Sequence, residues 1–402
     1  MPSIQVENLY KVFGRRADEA VRVLLSENGS AQAAVPGTTA AVVDASFDVR
    51  SGEIFVVMGL SGSGKSTLLR MLNGILPVTH GRVYLDEVEI TGMSARQIRD
   101  MRKRRMSMVF QHFALFPHRT VLQNAAYGLQ VQGQGKQERL DRAQQALSLV
   151  GLEGWENRLP EQLSGGMQQR VGLARALAAD TDVLLMDEAF SALDPLIRRE
   201  MQDQLLTLQQ QLGKTIVFIT HDLNEAMRLG DRIAVMRQGR IVQIGTAEAI
   251  LTAPADDYVS EFVRDVDRAR VLTARSVMAK PLHAVPSSAS PNEALRVMRE
   301  QHVGAVLVVD AAGAPAGAVL ERDATEAAGG GHTSVGDAQR PVTSVPADTA
   351  VSELFTAASG PMPLAVVDER GTLIGVVHQS ALLAALGEVE HAPDRTGSEE
   401  VR

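Results

Sequence analysis

Over residues 1–262, short apolar runs alternate with segments whose apolar positions recur every three or four residues. The runs EIFVVMG (53–59), MSMVFQ (106–111), DVLLMDE (182–188), TIVFIT (215–220) and RIAVM (232–236) predict strands. They are apolar almost throughout, as strands covered on both faces are. Helical spacing predicts helices over 121–132, 138–150, 167–179, 195–211 and 223–229. This alternation is the pattern of an α/β domain. The stretch 17–40, ending NGSAQAAVPGTTA, is small and polar and is expected to be an insertion or long loop between the first strand and AVVDASFDV.

Past residue 263 the pattern changes to a weak internal repeat. Residues 277–298 resemble 337–355, and 305–320 resemble 363–377, with Pro286 matching Pro346, Asp310 matching Asp368 and Gly317 matching Gly375. Each unit predicts strand, helix, strand, turn, strand, helix, and AAGGGHTS (327–334) joins the two. The expected division is a first domain over 1–262, a linker over 263–276, repeats over 277–332 and 333–387, and an acidic tail over 388–402 without apolar periodicity, expected to be disordered.

Composition narrows the classes of function. The chain has no cysteine, which excludes disulfides and thiolate metal sites. Its formal charge of −8 argues against nucleic acid as a partner. The run Arg102–Arg105 reads as a solvated helix end, since no aromatic residues interleave it. The opening MPSIQVENLYKVFG lacks a basic stretch followed by an apolar one, so no secretory leader is expected. The most apolar window, 303–320, is broken by Asp310 and Pro315, so no membrane span is expected.

Three strand ends carry candidate chemistry. GLSGSGKST (59–67) follows a strand and opens a helix, and fits the spacing of a phosphate loop through Gly59, Gly64, Lys65 and Ser66. Its backbone amides and helix N-terminus suit phosphate, Lys65 suits the β- and γ-phosphates, and Ser66 suits Mg²⁺. Asp187 and Glu188 end a later strand, placed to hold the magnesium through its water shell and to orient or deprotonate a water. His221 ends a third strand, on the side of the sheet where ligands of such folds bind. A second glycine turn opening a helix, LSGGMQQRVGLARAL (163–177), leaves one phosphate site with two candidate loops.

Together these residues resemble the ATP-binding-cassette ATPases, over about residues 3–262. The resemblance implies a P-loop nucleotide-binding domain with a helical subdomain near 112–165, followed by an α+β pair of CBS modules. It makes Gly59, Ser61, Gly62, Ser63, Gly64, Lys65, Ser66 and Thr67 the ATP loop, with Phe13 stacking on adenine and Tyr10 as its alternative. Glu188, His221, Lys65 and Gln111 become catalytic, Ser66, Gln111 and Asp187 hold Mg²⁺, and Asp194 lies in the loop that follows. The second glycine turn is explained by pairing of two copies head to tail. Ser164, Gly165, Gly166 and Met167 of one chain would close on the ATP of its partner.

Met167 and Ala189 depart from commoner spellings, and with the repeats they resemble the ATPase subunits of glycine betaine/proline importers. That implies a peripheral subunit on the cytoplasmic face of the inner membrane. Its partners would be a second copy of itself, permease subunits, and a binding protein or domain for the solute. Residues 112–129 are expected to form a permease-docking groove, or Phe113, Leu115 and Phe116 to be core of the helical subdomain. In the repeats Asp323 is a candidate ribose ligand, although Leu320 stands where a hydroxyl is usual. Basic residues over 264–300 suggest an anionic-lipid contact responsive to ionic strength. The alternatives are an importer for another small solute and a soluble cassette ATPase.

Overall fold

The computed structural model describes residues 4–26, 35–280, 284–358 and 362–386. The chain divides into two compact units at Val266 and Asp267.

In the first unit a six-stranded sheet runs in the order Arg240–Gly245, Arg232–Arg237, Ile54–Met58, Thr215–Thr220, Val183–Asp187, Met106–Val109. All but the Arg240–Gly245 edge strand are mutually parallel. Ile54–Met58, Val183–Asp187 and Thr215–Thr220 are buried at every position, which is why they read as continuous apolar runs rather than alternating ones. A second, antiparallel sheet is ordered Thr39–Val49, Ile4–Phe13, His80–Leu85, Val88–Glu89. Its inward residues Val6, Leu9, Val42 and Phe47 share one core with Phe55, Val57, Leu185 and Val217 of the first sheet. The Phe47 and Phe55 rings stack at 5.1 Å across that core. Leu68, Leu69 and Leu72 of the helix Lys65–Leu72 are fully buried in it. Each such leucine contributes about 2 kcal/mol, so the helix that follows the glycine loop is anchored from below.

The helix expected over 121–132 is interrupted at Ala126 into Val121–Ala125 and Tyr127–Gln132. With Lys136–Leu149 and Gly165–Ala178 these form the helical part of the unit. The segment 17–40 is not simply a loop. Ala17–Ser26 is a helix whose Ala20, Val21 and Leu24 pack on Tyr10, Val12 and Val43. The polar residues hid this short amphipathic face; 27–34 lie outside the described residues.

The second unit holds two three-stranded sheets of identical plan. Ala284–Pro286 runs parallel to Ala305–Val309, which pairs antiparallel with Pro315–Leu320. Ser344–Pro346, Leu364–Val367 and Leu373–Val377 repeat this. Asp310 and Asp368 build the same turn, each carboxylate accepting two backbone amides. Residues 267–276, expected as part of a linker, are instead structured as Arg268–Val271 and the start of Ala274–Val277. Ala269, Leu272 and Ala274 are buried among Val351, Leu354 and Val366 of the second repeat, because these small apolar residues fill its core. The tail expected over 388–402 lies outside the described residues.

Asn124 holds the turn that follows Gln111. It is fully buried, accepts from Phe116 N–H (2.8 Å) and donates to the carbonyls of Phe116, Arg119 and Thr120. Asn124→Ala leaves these buried groups unpaired, at a cost of about 2–4 kcal/mol. Calorimetry is expected to show the first unit melting roughly 5–10 °C lower; an unchanged melting temperature contradicts this account.

Candidate active site

Parallel strands in register deliver their following residues to one edge. Met58 lies opposite Thr220, Asp187 opposite Ile219, and Met186 opposite Val109. Gly59, His221, Glu188 and Gln111 therefore emerge together at the carboxyl ends of four neighbouring strands, where ligands of open α/β sheets bind.

The glycine loop is shaped by close approach. Gly59 has φ +153°, and a methyl there would lie 2.2 Å from the Met236 carbonyl oxygen, so only glycine fits. Ser61 and Gly62 form the exposed rim, and Gly64 leads into the helix that starts at Lys65 and continues through Ser66 and Thr67. Lys65 is 4% exposed, and its ammonium donates to the carbonyls of Gly59 (2.8 Å) and Leu60 (3.0 Å). Burial pushes its pKa down, opposed by attraction to Glu188 and Asp187. The Ser63 hydroxyl is buried and has no partner. A buried polar group costs about 1–3 kcal/mol unless it is satisfied, so this orphan marks a place made for something polar.

Beside the loop, the Ser66 hydroxyl donates to Asp187 (2.8 Å), and Arg70 lies 3.9 Å from the same carboxylate. Glu188 has φ +46° although it is not glycine. That conformation costs on the order of 1–3 kcal/mol and concentrates at functional sites. It turns the carboxylate so that one oxygen meets Gln111 Nε2 (3.2 Å) and His221 Nδ1 (3.0 Å). Lys65, Ser66, Gln111, Asp187, Glu188 and His221, singled out separately in the sequence, form one connected cluster.

The second glycine turn is not part of that cluster. Ser164 and Gly165 are exposed, and Ser164 caps the helix Gly165–Ala178 by accepting from Met167 N–H (3.3 Å). Gly165 faces the Phe113 ring, and a methyl at Gly166 would meet Ile197 at 2.6 Å. From the same helix Arg175 donates to the carbonyls of Phe113 and Ala114, tying it to the turn after Gln111. Asp194 caps the helix Pro195–Leu212. Phe13 ends its strand exposed, with the Lys11 ammonium 5.2 Å from the ring.

Sequence reasoning missed Arg198. Its guanidinium donates to the carbonyls of Ser191 (3.4 Å) and Leu193 (3.1 Å) and to Asp222 (3.0 Å), joining the loop before Asp194 to the residue after His221. Its position one helical turn after the capping Asp194 was the available signal. In the second unit, the Asp323 carboxylate is held by the Arg340 guanidinium at 2.6 and 2.9 Å. That pairing holds its pKa below the usual carboxylate range.

The ABC transporter family model matches residues 42–191, and the CBS domain model matches 274–330 and 335–388. The glycine betaine transport ATP-binding protein OpuAA of Bacillus subtilis is 50% identical over 387 residues, 95% of this chain and 92% of that protein. The chain belongs to the ABC transporter ATPases. The glycine betaine/carnitine transport ATP-binding protein GbuA of Listeria monocytogenes is 47% identical over 390 residues, 96% of this chain and 98% of its own. Among solved structures, a dimeric ATP-binding cassette in a post-hydrolysis state with ADP and Pi aligns with a TM-score of 0.52 and 30% identity, over 61% of this chain and 98% of that one. As an ABC transporter ATPase the chain binds ATP and couples its hydrolysis to transport. Among the described residues, no helix is long and apolar enough to cross a membrane.

Behind His221, Glu225 is 4% exposed and accepts from Gln202 Nε2 (3.1 Å). Burial pushes its pKa up. The folded state thus holds the proton to higher pH than the unfolded one, and stability falls as pH rises between the two values. Glu225→Gln removes the buried charge. It is expected to raise stability to denaturant at pH 7, with the difference vanishing below about pH 4, where the unfolded carboxyl also takes its proton; a loss of stability at pH 7 refutes this.

Proposed function

We propose that the chain powers an importer of glycine betaine or a related quaternary amine, from the cytoplasmic face of the membrane. The supporting observation is the 50% identity to OpuAA across 95% of the chain, catalytic cluster and CBS pair together. In this reading Phe13 stacks on adenine, and the loop 59–67 and the buried Ser63 hydroxyl face phosphate. Lys65 leaves its carbonyl partners for the β- and γ-phosphates. Glu188 orients and deprotonates the attacking water, and His221 and Gln111 hold that carboxylate from either side. Ser164–Met167 close on the nucleotide of a second copy, and Asp194 sits in the loop between them.

Magnesium fits the residues present. Ser66, Asp187 and Gln111 offer the oxygen donors it takes, and among the described residues no cluster of three acidic or histidine groups forms a cage of its own. A site with one or two carboxylates is the kind completed by substrate phosphates. The ion would neutralise charge on the β- and γ-phosphate oxygens.

Permease docking has a specific candidate. An open cleft of about 350 Å³ is lined by Met106, Tyr127, Gly128 and Val131, with Arg99, Arg102 and Lys103 among its lining residues. It puts part of the basic run and part of the segment 112–129 to one use. Phe116 instead packs on Tyr127 (4.6 Å) under the Arg119 guanidinium. The CBS pair is the regulatory part of the subunit in this reading.

The test is uptake of labelled glycine betaine into vesicles holding the chain with its permease and ATP. Wild type is expected to accumulate the label. Glu188→Gln is expected to retain ATP binding and lose hydrolysis and uptake by at least about 100-fold. Hydrolysis without betaine uptake overturns the substrate, and undiminished hydrolysis by Glu188→Gln overturns the role of that carboxylate.

A further inference from the structure

Lys11 lies in the strand Ile4–Phe13 and is only 9% exposed. Lysine is rarely buried to this degree unless its ammonium is satisfied. Here the ammonium donates to the Pro77 carbonyl (2.6 Å) and sits over the Phe13 ring, 5.2 Å from its centre. A cation within about 6 Å of a ring centre is attracted to the π face, and more strongly where water is excluded. Phe13 itself is 42% exposed. An exposed ring at a strand end samples several rotamers unless a neighbour selects one. Lys11 is such a neighbour: it occupies one face of the ring and does not reach the other.

The carbonyl that anchors Lys11 belongs to the turn leaving the phosphate-loop helix Lys65–Leu72. In that turn Leu76 N–H donates to the Arg70 carbonyl (2.9 Å), and the buried Asn73 side chain accepts from Ile75 N–H (3.0 Å). Two residues beyond Pro77, Thr79 grips the same strand end. Its N–H donates to the Tyr10 carbonyl (3.0 Å), and its hydroxyl accepts from Val12 N–H (3.1 Å). Phe13 is thus tied through Lys11 and Pro77 to the helix whose other end carries Lys65, Ser66 and the glycine loop. The ring and the loop are held in one frame.

We propose that Lys11 is a positioning residue for nucleotide binding: its ammonium fixes the Phe13 ring from one face and so presents the other face to adenine. A ring already held loses less freedom when a base stacks on it, which is the source of affinity in a preorganised site. The same contact sets where the base lies relative to the phosphate loop, because both are anchored on one helix. The inference rests on the reading of Phe13 as the adenine-stacking residue, and not on the choice of transported solute.

The full-length chain and its variants are titrated with MgADP by calorimetry, a ligand that involves no turnover, and ATPase kinetics are measured alongside. Phe13→Ala is expected to raise the MgADP Kd about tenfold, as loss of one base–aromatic stack implies. Lys11→Met keeps an unbranched stem and removes the charge. It is expected to raise the Kd about fivefold in the wild-type background and not at all in Phe13→Ala, since its effect passes through the ring. KM for ATP follows, while kcat at saturating ATP stays within about twofold. Pro77 is exposed, so water takes over its carbonyl in the variant and the melting temperature is not lowered. Lys11→Gln, uncharged but polar, is expected to match Lys11→Met and replaces it should that variant fold poorly. Lys11 variants that bind MgADP as wild type does, or that weaken it equally with and without the Phe13 ring, overturn the inference alone. Phe13→Ala that binds MgADP as wild type does overturns the adenine reading and the inference together.

Discussion

A loop that aims its backbone amides at a ligand cannot spend those amides on holding itself in shape. Regular structure pairs nearly every buried N–H and C=O internally, and within the stretch Gly59–Gly64 that pairing shrinks to a turn bond from Ser63 N–H to the Leu60 carbonyl (3.2 Å). Its shape must come from outside. Lys65 donates to two of its carbonyls, Gly239 to a third, and Met236 leaves room for nothing larger than a hydrogen at Gly59. Below it, the leucines of Lys65–Leu72 are sunk in the core shared by both sheets. The central strands, buried at every position, carry this loop and the two acids to one edge.

The same dependence on neighbours governs the acids. Glu188 occupies a backbone conformation unfavourable for its residue type, and the hydrogen bond from its N–H to the Ile219 carbonyl of the adjacent strand helps keep it there. Its carboxylate is gripped between Gln111 and His221, from two other strand ends. Arg198 carries the linkage outward, from the loop before Asp194 to Asp222. A change in any of these strand-end residues therefore reaches Glu188 through one or two hydrogen bonds, which suits an enzyme whose hydrolysis is coupled to movement elsewhere in a transporter.

In the second unit the two repeats share backbone plan and turn chemistry but not side-chain chemistry. Asp323 of the first is engaged by Arg340 of the second, whereas the matching position of the second repeat is Ala381. Arg340 also bridges its backbone to Ala318, next to Gly317, where a side chain would strike the Arg340 carbonyl. The carboxylate that suggested a ribose ligand thus has an internal partner.

The sequence by itself determined the α/β class, the central strands nearly to the residue, the repeat, and the identities of the cluster residues. These are properties of short windows: apolar runs, glycine spacing, and polar residues at strand ends. It did not determine that 17–26 contains a helix, that 267–276 fills the core of the second repeat, or that Arg198 joins the loop before Asp194 to Asp222. Each of these depends on a partner outside its own segment: Tyr10 and Val43 for the first, Val351 and Leu354 for the second, Asp222 for the last. A side chain's local pattern records what its own segment prefers, and only the packed sheet and helices decide which distant backbone groups it must satisfy.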